Sequence, residues 1–96
     1  MEVERIITGL RQQLPLLRER YRVQSVEVFG SYARGEEGRD SDLDLLVTFT
    51  EPPGLLEFIE LEHYLSDTFG VEVDLVLKDT LKPGVGQRVL SEAMAV

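Results

Sequence analysis

The chain has 96 residues, of which 43% are hydrophobic and 29% charged, a composition typical of one folded domain rather than a disordered segment. Its net charge of -8 argues against non-specific nucleic-acid binding, because phosphates would be repelled. The charge suits either a basic protein partner or simply good solubility. The absence of cysteine excludes disulfides and thiolate metal sites. No apolar run approaches the roughly 20 residues that span a bilayer, and the charged N-terminus is unlike a signal peptide. We therefore expect a single domain over residues 1–96, cytoplasmic and without membrane association.

The first predicted element is an amphipathic helix over Glu2–Tyr21. Its apolar residues recur at spacings of three and four, as in Ile6, Ile7 and Leu10, which places them on one stripe. Pro15 lies within that stripe. Because proline lacks an amide hydrogen and disfavours helical backbone at the preceding residue, we expect a kink or a split there.

A strand, a turn and a second strand follow the first helix. Alternating β-branched residues predict a strand over Val23–Phe29. Gly30-Ser31 is the turn out of it, and Ser31–Arg34 is predicted to form the first turn of a short helix. A polar loop, Gly35–Ser41, leads to the second predicted strand, Leu43–Phe49.

The second half of the chain supplies two more helices and a third strand. After the stop at Pro52-Pro53-Gly54, residues Leu55–Phe69 have the pattern of an amphipathic helix, with Gly70 as its C′ residue. A strand over Val71–Leu77 and a short helix over Gln87–Met94 complete the prediction. This order predicts an α/β (α+β) domain: a small mixed sheet of three to four strands with helices packed on one face.

Carboxylates on two of these strands suggest chemistry. Because side chains alternate along a strand, Asp42 and Asp44 are expected to project together, opposite Leu43 and Leu45. Asp74 on the third strand is expected to face the same side. Neighbouring carboxylates repel each other unless a divalent cation lies between them, and Mg²⁺ prefers a few carboxylates together with substrate phosphates. The pattern therefore predicts a magnesium site.

Gly30 and Ser31 provide the complementary half of such a site. Backbone N–H groups at the start of a helix bind phosphate, and glycine allows the backbone to approach a ligand closely. Ser31 adds a hydroxyl. The ten residues Tyr32–Ser41 separate this turn from the carboxylates. The arrangement is the outline of a nucleotidyl-transfer site.

Each of these features has a simpler explanation when taken alone. An isolated Asp-x-Asp is more often a solvated strand end, Gly-Ser is a common turn, and a polar residue on an edge strand is unremarkable. Arg34 either contacts a phosphate or, as we favour, pins the loop against a carboxylate. Lys78 and Lys82 follow the third strand and are candidates for the neighbourhood of the site. Leu56 and Tyr64 lie off the main helical stripe, either as ordinary exposed residues or as part of a partner surface.

The string GSYARGEEGRDSDLDLLV resembles the pattern of the polymerase-β-like nucleotidyltransferase superfamily: Gly-Ser, a spacer of this length, then Asp-x-Asp. Within it, GSYARG followed by SDLDLLV is similar to the stand-alone minimal nucleotidyltransferases. The resemblance implies that fold. It also implies that Gly30 and Ser31 hold the nucleotide triphosphate, and that Asp42, Asp44 and Asp74 bind one or two Mg²⁺ ions. Asp74 would in addition orient or help to deprotonate the incoming hydroxyl.

The same resemblance implies a partner. Such proteins commonly form the antitoxin half of a pair with a helical HEPN-domain ribonuclease toxin, and transfer of AMP from ATP to a tyrosine hydroxyl is one route to neutralisation. The alternative is a binding antitoxin that blocks the toxin by contact, for which three facing acids have no use. Transfer to RNA or to a small molecule is less favoured, because the chain has no basic stripe and no room for an acceptor domain.

Overall fold

A computed structural model describes residues 2–96, with the backbone alone described at Val85. The elements in chain order are α1 (Val3–Tyr21), β1 (Val23–Phe29), α2 (Gly30–Arg34), β2 (Leu43–Phe49), α3 (Leu55–Phe69), β3 (Val73–Leu77), a 3-10 turn (Lys78–Thr80), α4 (Val85–Glu92) and β4 (Met94–Ala95). Within residues 2–96, no helix combines the length and the apolarity that crossing a bilayer requires.

The four strands form one mixed sheet in the order β3-β2-β1-β4. β1 runs antiparallel to both β2 and β4, whereas β2 and β3 are parallel. A parallel pair needs a crossover connection, and α3 provides it. The predicted fold class, a small mixed sheet with helices, is confirmed.

The core lies between one face of the sheet and helices α1 and α3. Alternate strand residues face it, including Val26, Val28, Leu45, Val47 and Leu75, each at most 5% exposed. The helices contribute a complementary set of buried side chains: Ile6, Leu10, Leu17, Leu61 and Leu65. Full burial of each large aliphatic side chain contributes about 1.5–3 kcal/mol. This packing covers one face of the sheet with two helices and leaves its other face available for a site.

Helix α1 is continuous through Pro15, so the predicted split is wrong. Leu10 and Leu17 lie on either side of the proline, and both are fully buried in the same core. Their common burial keeps the segments before and after the proline in one helix despite the missing N–H. The helix ends at Arg22, whose left-handed backbone (φ 61°) directs its N–H to the carbonyl of Leu17.

The third strand is shorter than predicted, beginning at Val73 rather than Val71. Gly70 takes the left-handed conformation that ends α3, as predicted (φ 67°), and the chain turns before pairing starts. The outer edge of β3 is then covered by α3: Val73 N–H donates to Ser66 Oγ (3.0 Å) and Leu75 N–H to Glu62 Oε2 (3.1 Å). These hydrogen bonds occupy the β3 backbone N–H groups with which an additional strand would otherwise pair.

The last segment differs most from expectation. A helix over Gln87–Met94 was predicted, but α4 ends at Glu92 and the chain then forms β4. Met94 pairs with Val28 and Ala95 with Glu27, so β4 covers the edge of β1. A two-residue strand has no periodicity to recognise, and it forms because β1 offers unpaired backbone groups.

Candidate active site

Strand register brings two of the predicted carboxylates together. Asp44 of β2 lies opposite Asp74 of β3 in the parallel ladder and opposite Phe29 of β1 in the antiparallel one. Residues opposite each other share a face, so Asp44 and Asp74 project from the side of the sheet opposite α1 and α3. We call this side the acidic face. The neighbours of Asp44 in sequence, Leu43 and Leu45, are fully buried on the core side, as predicted.

Asp42 lies beside this pair rather than within the strand. The ladder begins at Leu43, whose N–H donates to the carbonyl of Glu72 (2.8 Å), and Asp42 is exposed just before it. Asp42 therefore immediately precedes β2, whose bounds are the predicted Leu43–Phe49, and does not lie within the strand with Asp44. Its charge nevertheless acts on Asp44, so the three carboxylates form one electrostatic group.

Asp44 is the member of this group most affected by its surroundings. Partial burial raises the pKa of its carboxyl, and the nearby charges of Asp74 and then Asp42 raise it further. The positive charge of Arg34 acts in the opposite direction. Without a cation, ionised Asp44 is thus held at a cost in free energy.

Gly30 places the start of α2 directly against this carboxylate. It is buried and has a positive φ of 73°, a conformation that glycine adopts without the penalty that other residues meet. A Cβ at this position would overlap Asp44 Oδ2 and would lie 3.0 Å from Asp44 Cγ. The predicted phosphate-binding turn and the predicted metal ligand are therefore in contact.

Ser31 follows in the first turn of α2 and is partly exposed. The residue before the helix is Phe29, and no side chain described in residues 2–96 caps this helix end. The first amide groups of a helix lack intrahelical acceptors, so they suit an oxyanion. The structure therefore brings Gly30 and Ser31 to the same corner of the sheet as Asp44 and Asp74.

Arg34 has the structural role favoured from the sequence. Its Nε donates to Glu36 Oε2 (2.9 Å) and its Nη1 to Glu92 Oε2 (3.1 Å). These bonds raise the pKa of the guanidinium, which stays charged. They tie the loop after α2 to α4, and they fix a positive charge beside the acidic group.

The residues present suit a hard cation such as Mg²⁺, which prefers oxygen ligands. The charges of Asp74 and Asp42 disfavour ionised Asp44, so a cation bound among these carboxylates would relieve that repulsion. Gly30, which has no side chain, leaves room for a phosphate beside them. Across the described part of the chain, however, no three Asp, Glu, His or Cys side chains are arranged to hold an ion by themselves. Oxygen atoms of the substrate and water would have to complete the coordination shell.

A fourth carboxylate on the acidic face was not singled out from the sequence. Glu27 of β1 lies opposite Leu46 of β2, one row along the sheet from Asp44. Lys78 crosses the sheet to reach it: its Nζ donates to Glu27 Oε1 (3.3 Å) and lies 3.2 Å from Oε2. Oε2 is outside hydrogen-bonding geometry and is buried without a donor among the described residues. The feature of the sequence that could have identified Glu27 is the position of a charged residue between two strand valines, Val26 and Val28.

We expect Lys78→Met to destabilise the protein by about 1–3 kcal/mol, because it leaves Glu27 largely buried without its cation. Lys78→Arg keeps the charge and serves as the control. Chemical denaturation measures the difference. Adding Glu27→Gln to Lys78→Met is expected to recover part of the loss; a double variant as unstable as the sum of the two single variants would contradict the pairing.

Comparison with known proteins agrees with this geometry. Residues 10–96 match the nucleotidyltransferase domain family. The protein adenylyltransferase MntA of Thermococcus cleftensis is 50% identical over 95 residues, covering 99% of this chain and 93% of that protein. A solved minimal nucleotidyltransferase superposes with a TM-score of 0.81 and 41% identity, covering 100% of this chain and 97% of that one. A chain of a toxin–antitoxin crystal structure with AMP-PNP has a TM-score of 0.71 and 26% identity, covering 99% and 72%.

The four-stranded mixed sheet with its flanking helices is the fold of a minimal nucleotidyltransferase. The chain belongs to the nucleotidyltransferase domain family, and the resemblance seen in its GSYARG and SDLDLLV segments is confirmed. It is therefore an enzyme of the nucleotidyltransferase class.

Proposed function

We propose that this protein is a Mg²⁺-dependent adenylyltransferase that moves AMP from ATP to a hydroxyl of a partner protein, a HEPN-domain ribonuclease toxin. The protein is then the antitoxin of the pair. The proposal is supported by the similarity to a protein adenylyltransferase over almost the whole of both chains. A structural relative that belongs to a toxin–antitoxin complex with an ATP analogue supports it further.

One observation carries the proposal: the contact between Gly30 and Asp44, with Asp74 next to Asp44 in register. A turn that suits phosphate and a pair of carboxylates that suits Mg²⁺ form one site rather than two. A nucleoside triphosphate is the substrate that uses both at once, because its phosphates bind the amides and complete the metal shell.

The transfer step balances without any further reagent. The hydroxyl oxygen of the partner attacks the α-phosphorus of ATP, a new P–O bond forms, and the bond to the bridging oxygen breaks to release pyrophosphate. We assign Asp74 to orient the hydroxyl and accept its proton, because it is the exposed strand-borne carboxylate. Gly30 and Ser31 hold the phosphates of the leaving group, so that attack and departure are in line.

Asp42, Asp44 and Asp74 would hold one or two Mg²⁺ ions. When bound, Mg²⁺ neutralises the charge that develops on the triphosphate. Burial raises the pKa of Asp44 most, and the charges of Asp74 and Asp42 raise it further; a cation held by these carboxylates would offset the part due to repulsion. The fold positions these three carboxylates: Asp44 and Asp74 are paired between β2 and β3, and Asp42 immediately precedes β2.

The test uses the protein encoded by the adjoining reading frame, which we expect to be a small helical protein with an Arg-x₄-His-type motif. Mixed with ATP and Mg²⁺, wild-type protein is expected to add AMP covalently to this partner and to release pyrophosphate. Intact mass spectrometry of the partner detects the addition. Omission of Mg²⁺ with a chelator present should stop it.

The variant Asp42→Asn separates this function from neutralisation by contact. It should lose transfer but still form the complex, because the exposed Asp42 supports no packing. If the mass of the partner never changes, and wild type and Asp42→Asn block its ribonuclease activity equally well, the adenylyltransferase proposal is wrong. The protein then acts as a binding antitoxin.

A further inference from the structure

The start of α3 presents apolar side chains to solvent, near the end of β2 that is distant from Asp44. Leu55 is 75% exposed and Leu56 is 76% exposed, and Ile59, one turn on, is 38% exposed. Residues three and four apart are neighbours on a helix surface, so these three form one patch. We call it the leucine patch. Leucines this exposed and this close together are typical of an interaction site.

The leucine patch continues into a groove. One hollow of about 380 Å³ is lined by Pro53, Gly54, Leu55, Phe58 and Leu77. A second, of about 170 Å³, adjoins it and shares Pro53 and Leu77. The two prolines before α3 fix the backbone that leads into the patch. This restricts the conformations of the segment that leads into the leucine patch, which lowers the entropic cost of ordering it on binding.

Acidic side chains surround this apolar surface. Glu57 and Glu60 are exposed on α3 beside the leucines, and Asp79 is exposed on the rim of the second hollow. Glu51, just before the prolines, is exposed and paired with Arg22 (2.7 Å). The whole chain carries a net charge of -8. A second copy of the chain, an anionic membrane or RNA would all be repelled here.

We propose that the leucine patch and its groove dock the partner protein through apolar side chains set in a basic surface. This proposal rests on the proposed function and names the surface that the partner uses. A ribonuclease has to attract the phosphates of RNA, so it offers basic surface near its RNA-binding site. An acidic rim around an apolar centre is complementary to such a surface, with the leucines as anchors and the acids guiding approach.

Docking at this surface is separate from chemistry. Phe49, beside the groove, is five residues along β2 from Asp44, which in a strand is roughly 17 Å. The partner therefore binds at one end of the sheet and brings its hydroxyl to the other. Substitutions in the leucine patch should change the affinity for the partner but not the turnover at saturating partner.

The experiment is calorimetric titration of the protein encoded by the adjoining reading frame into the Leu55→Ser/Leu56→Ser double variant. We expect at least a tenfold loss of affinity, typical of truncated interface anchors. The matched control is Leu16→Ser, which removes an exposed leucine (37%) on α1.

Glu57→Lys/Glu60→Lys should also weaken binding, and it should reduce the fall in affinity that added salt causes. Thermal melts should be unchanged for the double variant, since both leucines are mostly exposed.

The outcomes distinguish this proposal from the proposed function. Wild-type affinity in the leucine double variant, or a wild-type protein that does not bind the probe, overturns the docking surface. A wild-type dimer in analytical ultracentrifugation that becomes a monomer in the double variant also overturns it, in favour of a second copy. If the double variant binds weakly but the partner's mass never changes even with wild type, docking stands and AMP transfer fails.

Discussion

Asp44→Asn is expected to reduce AMP transfer on the order of a thousandfold while making the metal-free protein more stable at pH 7. Asparagine keeps the shape of aspartate but has no charge to bind Mg²⁺ or to balance the developing charge on the triphosphate. It also removes the charge that burial, Asp74 and Asp42 disfavour. Loss of activity together with a gain in stability is characteristic of a residue kept for function.

The stability difference has a defined pH dependence. The folded-state pKa of Asp44 is raised above the ordinary value of 3.8 that the unfolded chain has. The folded state therefore binds the proton more tightly, and ionisation of Asp44 costs stability as the pH rises through this window. The advantage of Asp44→Asn should be full above the raised pKa, and it should vanish as the pH falls below the ordinary value.

Thermal melts in chelator from pH 3 to pH 8, with mass spectrometry of the partner for activity, measure both effects. Asp67→Asn is the matched control, because Asp67 is an exposed aspartate on α3. It should change neither transfer nor the pH profile. A melting temperature for Asp44→Asn that is lower than wild type at pH 7 would mean that Asp44 is a structural partner of Arg34, contrary to this argument.

Local pattern was sufficient to predict most of the fold. β1, β2 and α3 have the predicted bounds, because alternation and helical spacing are unambiguous there and Pro52-Pro53-Gly54 and Gly70 mark the ends of α3. The prediction was wrong where contacts between residues distant in sequence determine the local structure. Burial of leucines on both sides of Pro15 keeps α1 whole, and backbone pairing with β1 creates β4.

The sequence indicates which residues make up the candidate site, but it does not indicate which of them are in contact. Residue type and spacing indicated Gly30, Ser31 and the three aspartates, because carboxylates and a Gly-Ser turn have few joint uses. That Asp44 pairs with Asp74 depends on the register between β2 and β3, which only the folded sheet establishes. The ion pair between Glu27 and Lys78 joins residues 51 apart in sequence and crosses a strand between them.

Gly30→Ala is the second substitution with a large expected effect. The positive φ of 73° strains any other residue by about 1–3 kcal/mol. In addition, the new methyl group would overlap Asp44 Oδ2, so the carboxylate would have to move. Because the same displacement would disturb both the proposed phosphate-binding turn and a proposed metal ligand, we expect transfer to fall by about a hundredfold or more.

The chain offers a control with the same backbone and no collision. Gly35 has a φ of 71°, and a Cβ there would meet no described atom within 4 Å. Gly35→Ala should therefore report backbone strain alone, and the extra loss in Gly30→Ala, measured by chemical denaturation, should report the contact with Asp44. Adding Asp44→Ala to Gly30→Ala should recover stability without recovering transfer. Equal destabilisation by the two glycine substitutions would show that Gly30 and Asp44 do not form one site, and the case for a single triphosphate and metal site would lose its central observation.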